Sequence, residues 1–229
     1  VSFAVQQGEF IGVMGASGSG KTTLLNLLST IDRVTAGHIY YGDTDITELG
    51  EEQLSEFRKK QLGFIFQEYN LLDTLTLEEN IMLVMTLHRR GKKEIQKRCR
   101  ELLRILGIEE VKDKYPYQVS GGQKQRCACA RALANYPTLL LADEPTGALD
   151  SLAAQTLLET FTEMNKNMGA TILMVTHDAF SASYCSRILF LKDGRIFHEL
   201  VRGEKERRAF LNEILDVMTL TGGERSHDV

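Results

Sequence analysis

Apolar positions along this chain follow two alternating rhythms. Four short runs, Phe10-Ile11-Gly12-Val13-Met14, Leu62-Gly63-Phe64-Ile65-Phe66, Thr138-Leu139-Leu140-Leu141-Ala142 and Thr171-Ile172-Leu173-Met174-Val175, carry almost no polar side chains. They are too short for helices and predict strands buried on both faces, as in a parallel sheet. Helical patterns lie between them, over 23–28, 51–60, 121–135 and 151–168. Strand and helix in alternation predict an α/β core with a mostly parallel sheet. Right-handed crossovers then put the strand C-termini on one edge, where such sheets bind ligands.

The rhythm changes at three places. From 77 to about 107 the pattern is helical, with apolar Ile81, Val84 and Met85 followed by a basic stretch from His88 to Arg104. This predicts an α-helical lobe, residues 71–117, inserted between core segments 1–70 and 118–202. Two short strands, 188–191 and 195–198, flank the turn Lys192-Asp193-Gly194 and predict an antiparallel β edge. A charged linker, Arg202-Gly203-Glu204, then leads to a C-terminal extension, 203–229. Its helix runs to about Leu220, with Phe210, Leu211, Ile214, Leu215 and Met218 as one stripe and Gly222-Gly223 as its end. At the other terminus residues 1–5 alternate like a strand, and Gln6-Gln7-Gly8-Glu9 reads as the turn of a hairpin with 10–14. A short strand is also expected at 38–41, between turns at Gly37 and Gly42. The chain begins at Val1 rather than Met, and a segment is expected before it.

Composition narrows the class without deciding it. The 229 residues are 43% hydrophobic and 25% charged, as in an ordinary soluble globule. A net charge of −4, and no basic stripe in the reading, argue against nucleic acid as a partner. No apolar run approaches the ~20 residues of a membrane span, so a membrane role has to come through a partner. Cys99, Cys127, Cys129 and Cys185 form no C-x-x-C pair and read as reduced core thiols.

Gly15-Ala16-Ser17-Gly18-Ser19-Gly20-Lys21-Thr22 carries the chemistry. It is a G-x-x-x-x-G-K-[ST] phosphate loop placed between a predicted strand and a predicted helix, the context that confirms the motif. Its glycines let successive N–H groups face one anion, and the helix that follows aims its positive end there. Lys21 can reach the β- and γ-phosphates, and the Thr22 hydroxyl can ligate Mg²⁺.

Three further polar signals fall at strand ends. Asp143 can hold Mg²⁺ through water, and Glu144 can polarise the attacking water as general base; the plainer alternative is two solvated acids closing a strand. His177 can contact the γ-phosphate. Gln67 can bind Mg²⁺ or order the water. Val119-Ser120-Gly121-Gly122-Gln123 is a second glycine cradle before a helix, with Ser120 as N-cap or phosphate donor. One γ-phosphate does not need two helix N-termini from one subunit, so this cradle is expected to serve a nucleotide on another subunit.

These residues together resemble the ATP-binding subunit of an ABC transporter. Residues 15–22 match the Walker A motif, Gln67 the Q-loop, and 119–123 the signature, with Val119 where Leu is commonest. Residues 139–144 match Walker B, Gly147-Ala148-Leu149-Asp150 the D-loop, and His177 the switch histidine. The resemblance implies a P-loop NTPase fold and a head-to-tail dimer sandwiching two ATP with Mg²⁺. Each ATP would lie between residues 15–22 with Thr23 of one copy and Ser120, Gly121, Gly122, Gln123 and Asp150 of the other. It also implies an adenine-stacking aromatic before Val1, and an integral membrane permease met through the lobe, on which an aromatic or apolar groove is expected.

Gln123-Lys124-Gln125-Arg126, Ala130-Arg131-Ala132-Leu133-Ala134 and Ala142–Asp150 narrow the resemblance to the macrolide-exporter and lipoprotein-release group. The C-terminal helix, from Phe210 to Met218, is similar to bacitracin-type antimicrobial-peptide transporters, which pair with a large permease and often a sensor kinase. The expectation is a peripheral ATPase on the cytoplasmic face of a bacterial plasma membrane, driving removal or sensing of peptide antibiotics. A non-exporting ATPase that regulates cell-wall enzymes, or one serving lipoprotein release, is the alternative. A soluble P-loop ATPase of DNA repair ranks last.

Overall fold

The computed structural model describes residues 1–66 and 68–222, with side chains as far as Leu220. Its eight strands are β1 (Phe10–Met14), β2 (Tyr40–Tyr41), β3 (Thr44–Asp45), β4 (Leu62–Ile65), β5 (Leu139–Asp143), β6 (Ile172–Thr176), β7 (Arg187–Lys192) and β8 (Arg195–Val201). The main sheet has the order β4-β5-β6-β1-β7-β8. Every pairing in it is parallel except β7 with β8. The four apolar runs are therefore four adjacent strands among its five parallel ones, and β2 with β3 forms a separate small hairpin.

Period-two alternation sorts the strand side chains onto two faces. Ile11, Val13, Leu141, Leu173, Val175 and Leu189 share one apolar cluster, packed with Leu24, Leu25 and Leu28 of α1 (Lys21–Leu28) and Phe57 of α2 (Glu51–Gln61). Met14, Leu140, Ala142, Met174 and Phe190 share the other, under the remaining long helices. Those are α3 (Leu77–Leu87), α4 (Lys92–Ile105), α5 (Gly121–Leu133), α6 (Ser151–Met168) and α8 (Arg207–Gly222), with a single turn, α7 (Ala179–Ala182), before β7. Burial on both faces is why these strands read as unbroken apolar runs. Gly63 lets α5 approach β4: a Cβ there would lie 2.5 Å from the Ala132 carbonyl oxygen and 2.6 Å from Leu140 Cδ2.

The expected N-terminal hairpin does not form. The turn exists, with the Glu9 N–H donating to the Gln6 carbonyl at 3.0 Å and Gly8 at φ 76°. Yet residues 1–5 are not a strand. Both edges of β1 are already occupied, by β6 and by β7. Phe3 and Val5 instead pack on the first apolar cluster.

Residues 71–117 contain helices and short 3₁₀ turns without a strand. Asn80 fixes the entry to this segment. It is 1% exposed, accepts from the Leu72 N–H at 2.8 Å and donates to the carbonyls of Leu72, Leu75 and Thr76. A capping box between Thr76 and Glu79 starts α3. In α8, Phe210 and Ile214 are buried and Leu211 and Val217 partly so, whereas Leu215 and Met218 of the expected stripe are exposed. The face turned to the core is thus 210, 211, 214 and 217. Gly223, expected to help end this helix, lies outside the described residues.

Candidate functional site

Register decides which residues meet. Met14 pairs with Thr176, Asp143 with Val175, and Ile65 with Ala142. The strand ends are level, so the phosphate loop after β1, Glu144 after β5 and His177 after β6 open on one edge. Gln67, two positions past β4, lies outside the described residues.

The phosphate loop is cramped and rich in unused donors. Gly18 and Gly20 have φ of 78° and 102°. A Cβ on Gly15 would stand 2.3 Å from the Leu191 carbonyl oxygen, so only glycine fits against β7. The β7–β8 turn braces the loop from outside, the Gly194 N–H donating to the Ser19 carbonyl at 3.0 Å. Lys21 is buried, and its ammonium donates to the carbonyls of Gly15 at 2.8 Å and Ala16 at 3.0 Å. No side chain caps the N-terminus of α1, where Gly20 is the N-cap. The Ser19 hydroxyl is buried with no hydrogen-bond partner. An uncapped helix end, an orphan hydroxyl and a buried ammonium together fit a phosphate chain. Thr22 and Thr23 are exposed at this helix start.

Two carboxylates face that loop. Asp143 is the last residue of β5, one position further into the strand than its sequence pattern indicates. Burial raises its pKa, the neighbouring Glu144 charge raises it further, and the Lys21 ammonium opposes both. Glu144 sits at φ 44°, a left-handed conformation costly for a residue with a Cβ. Its N–H still donates to the Val175 carbonyl at 2.9 Å, and its own carbonyl accepts from Gly147 N–H at 3.0 Å. This backbone kink turns the side chain onto His177. Nδ1 of His177 is 2.9 Å from Glu144 Oε1, and the His177 N–H donates to Oε2 at 3.4 Å. An ionised carboxylate partner puts the proton on Nδ1 and leaves Nε2 as the second functional nitrogen. The Thr146 and Ser181 hydroxyls, 3.0 Å apart, tie the two loops a second time.

Among the described residues no cluster of three His, Cys, Asp or Glu forms a metal cage. The four cysteines are all buried, and burial pushes the thiols of Cys99 and Cys127 up to about 12.

The second glycine cradle stands apart. Ser120 Oγ accepts from the Gln123 N–H at 3.3 Å, and Gln123 Oε1 accepts from the Ser120 N–H at 2.9 Å, a reciprocal cap on α5. A Cβ on Gly121 would meet Tyr69 Oη at 3.0 Å and Leu149 at 3.7 Å; on Gly122 it would meet Ala153 at 3.5 Å. No atom of residues 15–22 comes within 4 Å of either position. Asp150 caps α6 by accepting from the Ala153 N–H at 2.9 Å. The chain therefore carries two separate groups: 15–22 with Asp143, Glu144 and His177, and 120–123 with the 149–153 turn.

Two side chains of α5 that sequence reasoning passed over hold the loops beside these groups. Gln125, fully buried on α5, donates to the Pro145 carbonyl at 3.1 Å. Arg131 donates to the Tyr69 carbonyl at 2.8 Å and also to that of Asn70. Tyr69 and Asn70 both have left-handed backbones, at φ 61° and 49°. Their only sequence signal is polarity at an inward position of a helix, legible once α5 is known to face the sheet.

Comparison with known proteins agrees with this geometry. The family model described as "ABC transporter" matches residues 1–147. The chain is 50% identical over 97% of its length to the bacitracin export ATP-binding protein BceA of Halalkalibacterium halodurans, covering 88% of that protein. It is 50% identical, over 97% of its length and 86% of the relative, to the ABC transporter ATP-binding protein YxdL of Bacillus subtilis. A dimeric structure of the ABC transporter cassette MJ0796 superposes with a TM-score of 0.78 at 39% identity, covering 87% of this chain and 88% of that one. A second MJ0796 structure, titled as a post-hydrolysis state bound to ADP and Pi, gives 0.77 at the same identity and coverage. The chain belongs to the ABC transporter family, as an ATP-hydrolysing cassette on the P-loop NTPase fold.

Proposed function

We propose that this ATPase drives a membrane permease that removes peptide antibiotics or signals their presence. Identity to a bacitracin exporter's ATP-binding protein over nearly the whole chain supports the substrate class. In this reading residues 1–70 and 118–202 are the ATP-binding core, 71–117 the lobe that meets the permease, and 203–229 a C-terminal extension. No helix among the described residues is long and apolar enough to cross a membrane, so the permease supplies the membrane passage.

The phosphate loop holds the β- and γ-phosphates through its N–H groups, Lys21 and the Ser19 hydroxyl. Thr22, Asp143 and Gln67 are the residues that would hold Mg²⁺, which when bound neutralises charge on the phosphate oxygens. Glu144 takes a proton from the attacking water. His177 keeps that carboxylate aimed and offers Nε2 toward the γ-phosphate. Ser120, Gly121, Gly122, Gln123 and Asp150 of a second copy close the site, a reading that the separation of the two groups supports.

The left-handed Glu144 bonded to His177 at the phosphate-loop edge carries the hydrolytic assignment. Glu144→Gln keeps the shape and removes the base. It should bind ATP, turn over at least ~100-fold more slowly, and accumulate as a dimer on a sizing column. Near-normal turnover would end the assignment. A lipoprotein-release role is the second reading, favoured by 41% identity over 86% of this chain to the lipoprotein-releasing protein LolD of Cytophaga hutchinsonii. Unchanged peptide sensitivity on deletion of the subunit in its host would favour that reading.

A further inference from the structure

Positive charge in this chain is concentrated in one short segment. Residues 89–104 hold eight Lys and Arg against two Glu, a net +6, while the rest of the chain carries −10 and the whole −4. The α4 helix folds this segment into a ridge. Ile95, Cys99, Leu102 and Leu103 are buried, whereas Lys93, Lys97, Arg100 and Arg104 are exposed along one helical face. These four line a shallow groove of about 480 Å³ with Gln96, Glu101 and Ile105. The expected absence of a basic stripe is thereby corrected: 3.6-residue winding lines up cations of the basic stretch from His88 to Arg104 along one face of α4.

Few of these cations serve the fold. Arg98 does: it is buried, stacks 3.9 Å from the Tyr136 ring centre and donates to the Leu133 carbonyl at 3.0 Å. Arg90 pairs with Glu94, and Arg104 with Glu109 at 3.7 Å. Among the described residues Arg89, Lys92, Lys93, Lys97 and Arg100 have no ion pair. Like charges one turn apart destabilise a helix, and no ion pair among the described residues compensates Lys93 with Lys97. A local rule broken without internal gain points to a counter-charge outside the molecule.

We propose that this α4 ridge docks on anionic lipid headgroups of the membrane surface beside the permease. The proposal rests on the lobe facing that permease. Lysines on flexible stems suit a diffuse anionic plane better than a bidentate phosphate pocket. The acidic remainder of the chain is repelled by the same plane, so the ridge also orients the subunit. Each such cation near an anionic leaflet strengthens binding by about fivefold, and the gain fades within a Debye length as salt rises.

Flotation of the whole purified chain with phosphatidylcholine vesicles, with and without phosphatidylglycerol, tests this. Binding to the anionic vesicles should be at least ~10-fold tighter than to the neutral ones and should weaken with salt. Lys93→Gln/Lys97→Gln/Arg100→Gln should lose at least ~10-fold of that binding while keeping wild-type melting temperature and ATP turnover. Equal binding to both vesicles, a triple variant that floats like wild type, or RNA bound in preference to anionic vesicles would each overturn it. The vesicles contain no permease, so failure of the lobe–permease reading is seen separately, by copurification from the host membrane.

Discussion

The Asp143 carboxyl is held above the ordinary carboxylate range by burial first, then by the charge of Glu144, with Lys21 working the other way. The folded chain therefore keeps this proton to a higher pH than the unfolded chain does. Between the two pKa values the folded state binds more protons, so stability falls as pH rises through that window, and the penalty persists at neutral pH. Asp143→Asn removes the penalty. With the ligand-free proteins, the variant should melt roughly 1–3 °C above wild type at pH 7, a small gain because the carboxyl is partly solvated, and the gap should close toward pH 3. A variant that melts lower at neutral pH would refute this ordering of causes. ATP hydrolysis should nonetheless be lost, since the residue is retained for chemistry rather than for folding. That Lys21, Asp143, Glu144 and His177 gather at one sheet edge was legible in the sequence because each lies at or beyond the end of a strand that its apolar run announces. The orphan hydroxyl of Ser19 and the backbone kink at Glu144 were not, because both depend on what β7 and β6 bring alongside.

Helices and strands were legible where burial sets the pattern and illegible where pairing does. The expected bounds of α6 match those observed, and β5 and β6 shift by one residue, since each has its apolar run fixed by two covered faces. Residues 1–5 alternate like a strand but have no free edge to join, a fact settled by β7, some 180 positions away. The single turn α7 was unread because Asp178 caps it locally, accepting from Phe180 and Ser181, with no period to detect. A prediction belongs to α5, which holds the loop after β4 along its length. Arg131 grips the Tyr69 and Asn70 carbonyls, and the Tyr69 ring reaches toward Gly121 at the start of the same helix. Two consecutive left-handed residues persist only when such contacts over-determine them. Arg131→Gln should speed amide exchange at 68–70 while leaving β1 and β6 protected. It should also cut the ATPase rate by about 10-fold, the scale of one lost charged hydrogen bond, with ATP affinity little changed. Arg131→Lys, retaining one donor, should recover part of the rate. Unchanged exchange at 68–70 would show that the loop is held by something else.

At the scale of the whole molecule, one chain holds two half-sites that do not meet. No atom of the phosphate loop approaches the positions a Cβ would take on Gly121 or Gly122, and those glycines lie instead against Tyr69, Leu149 and Ala153. A two-fold dimer that sets each phosphate loop against the partner's 120–123 cradle has two equivalent sites, each drawing half its residues from either copy. This arrangement makes a prediction that no single-chain site can imitate. Lys21→Ala disables the phosphate loop. Gly122→Asp places a carboxylate in the cradle, where a Cβ has room at 3.5 Å from Ala153, so the helix itself survives. Each variant alone should be nearly inactive. In a mixed dimer one site carries both lesions and the other carries neither. Random pairing of an equal mixture makes half of the dimers mixed, with one intact site in two, so the mixture should recover about one quarter of wild-type turnover. Below the dimer dissociation constant that recovered rate should climb with the square of protein concentration, because the intact site exists only while two chains are together. An equal mixture that stays as inactive as its parts would place the whole site within one chain.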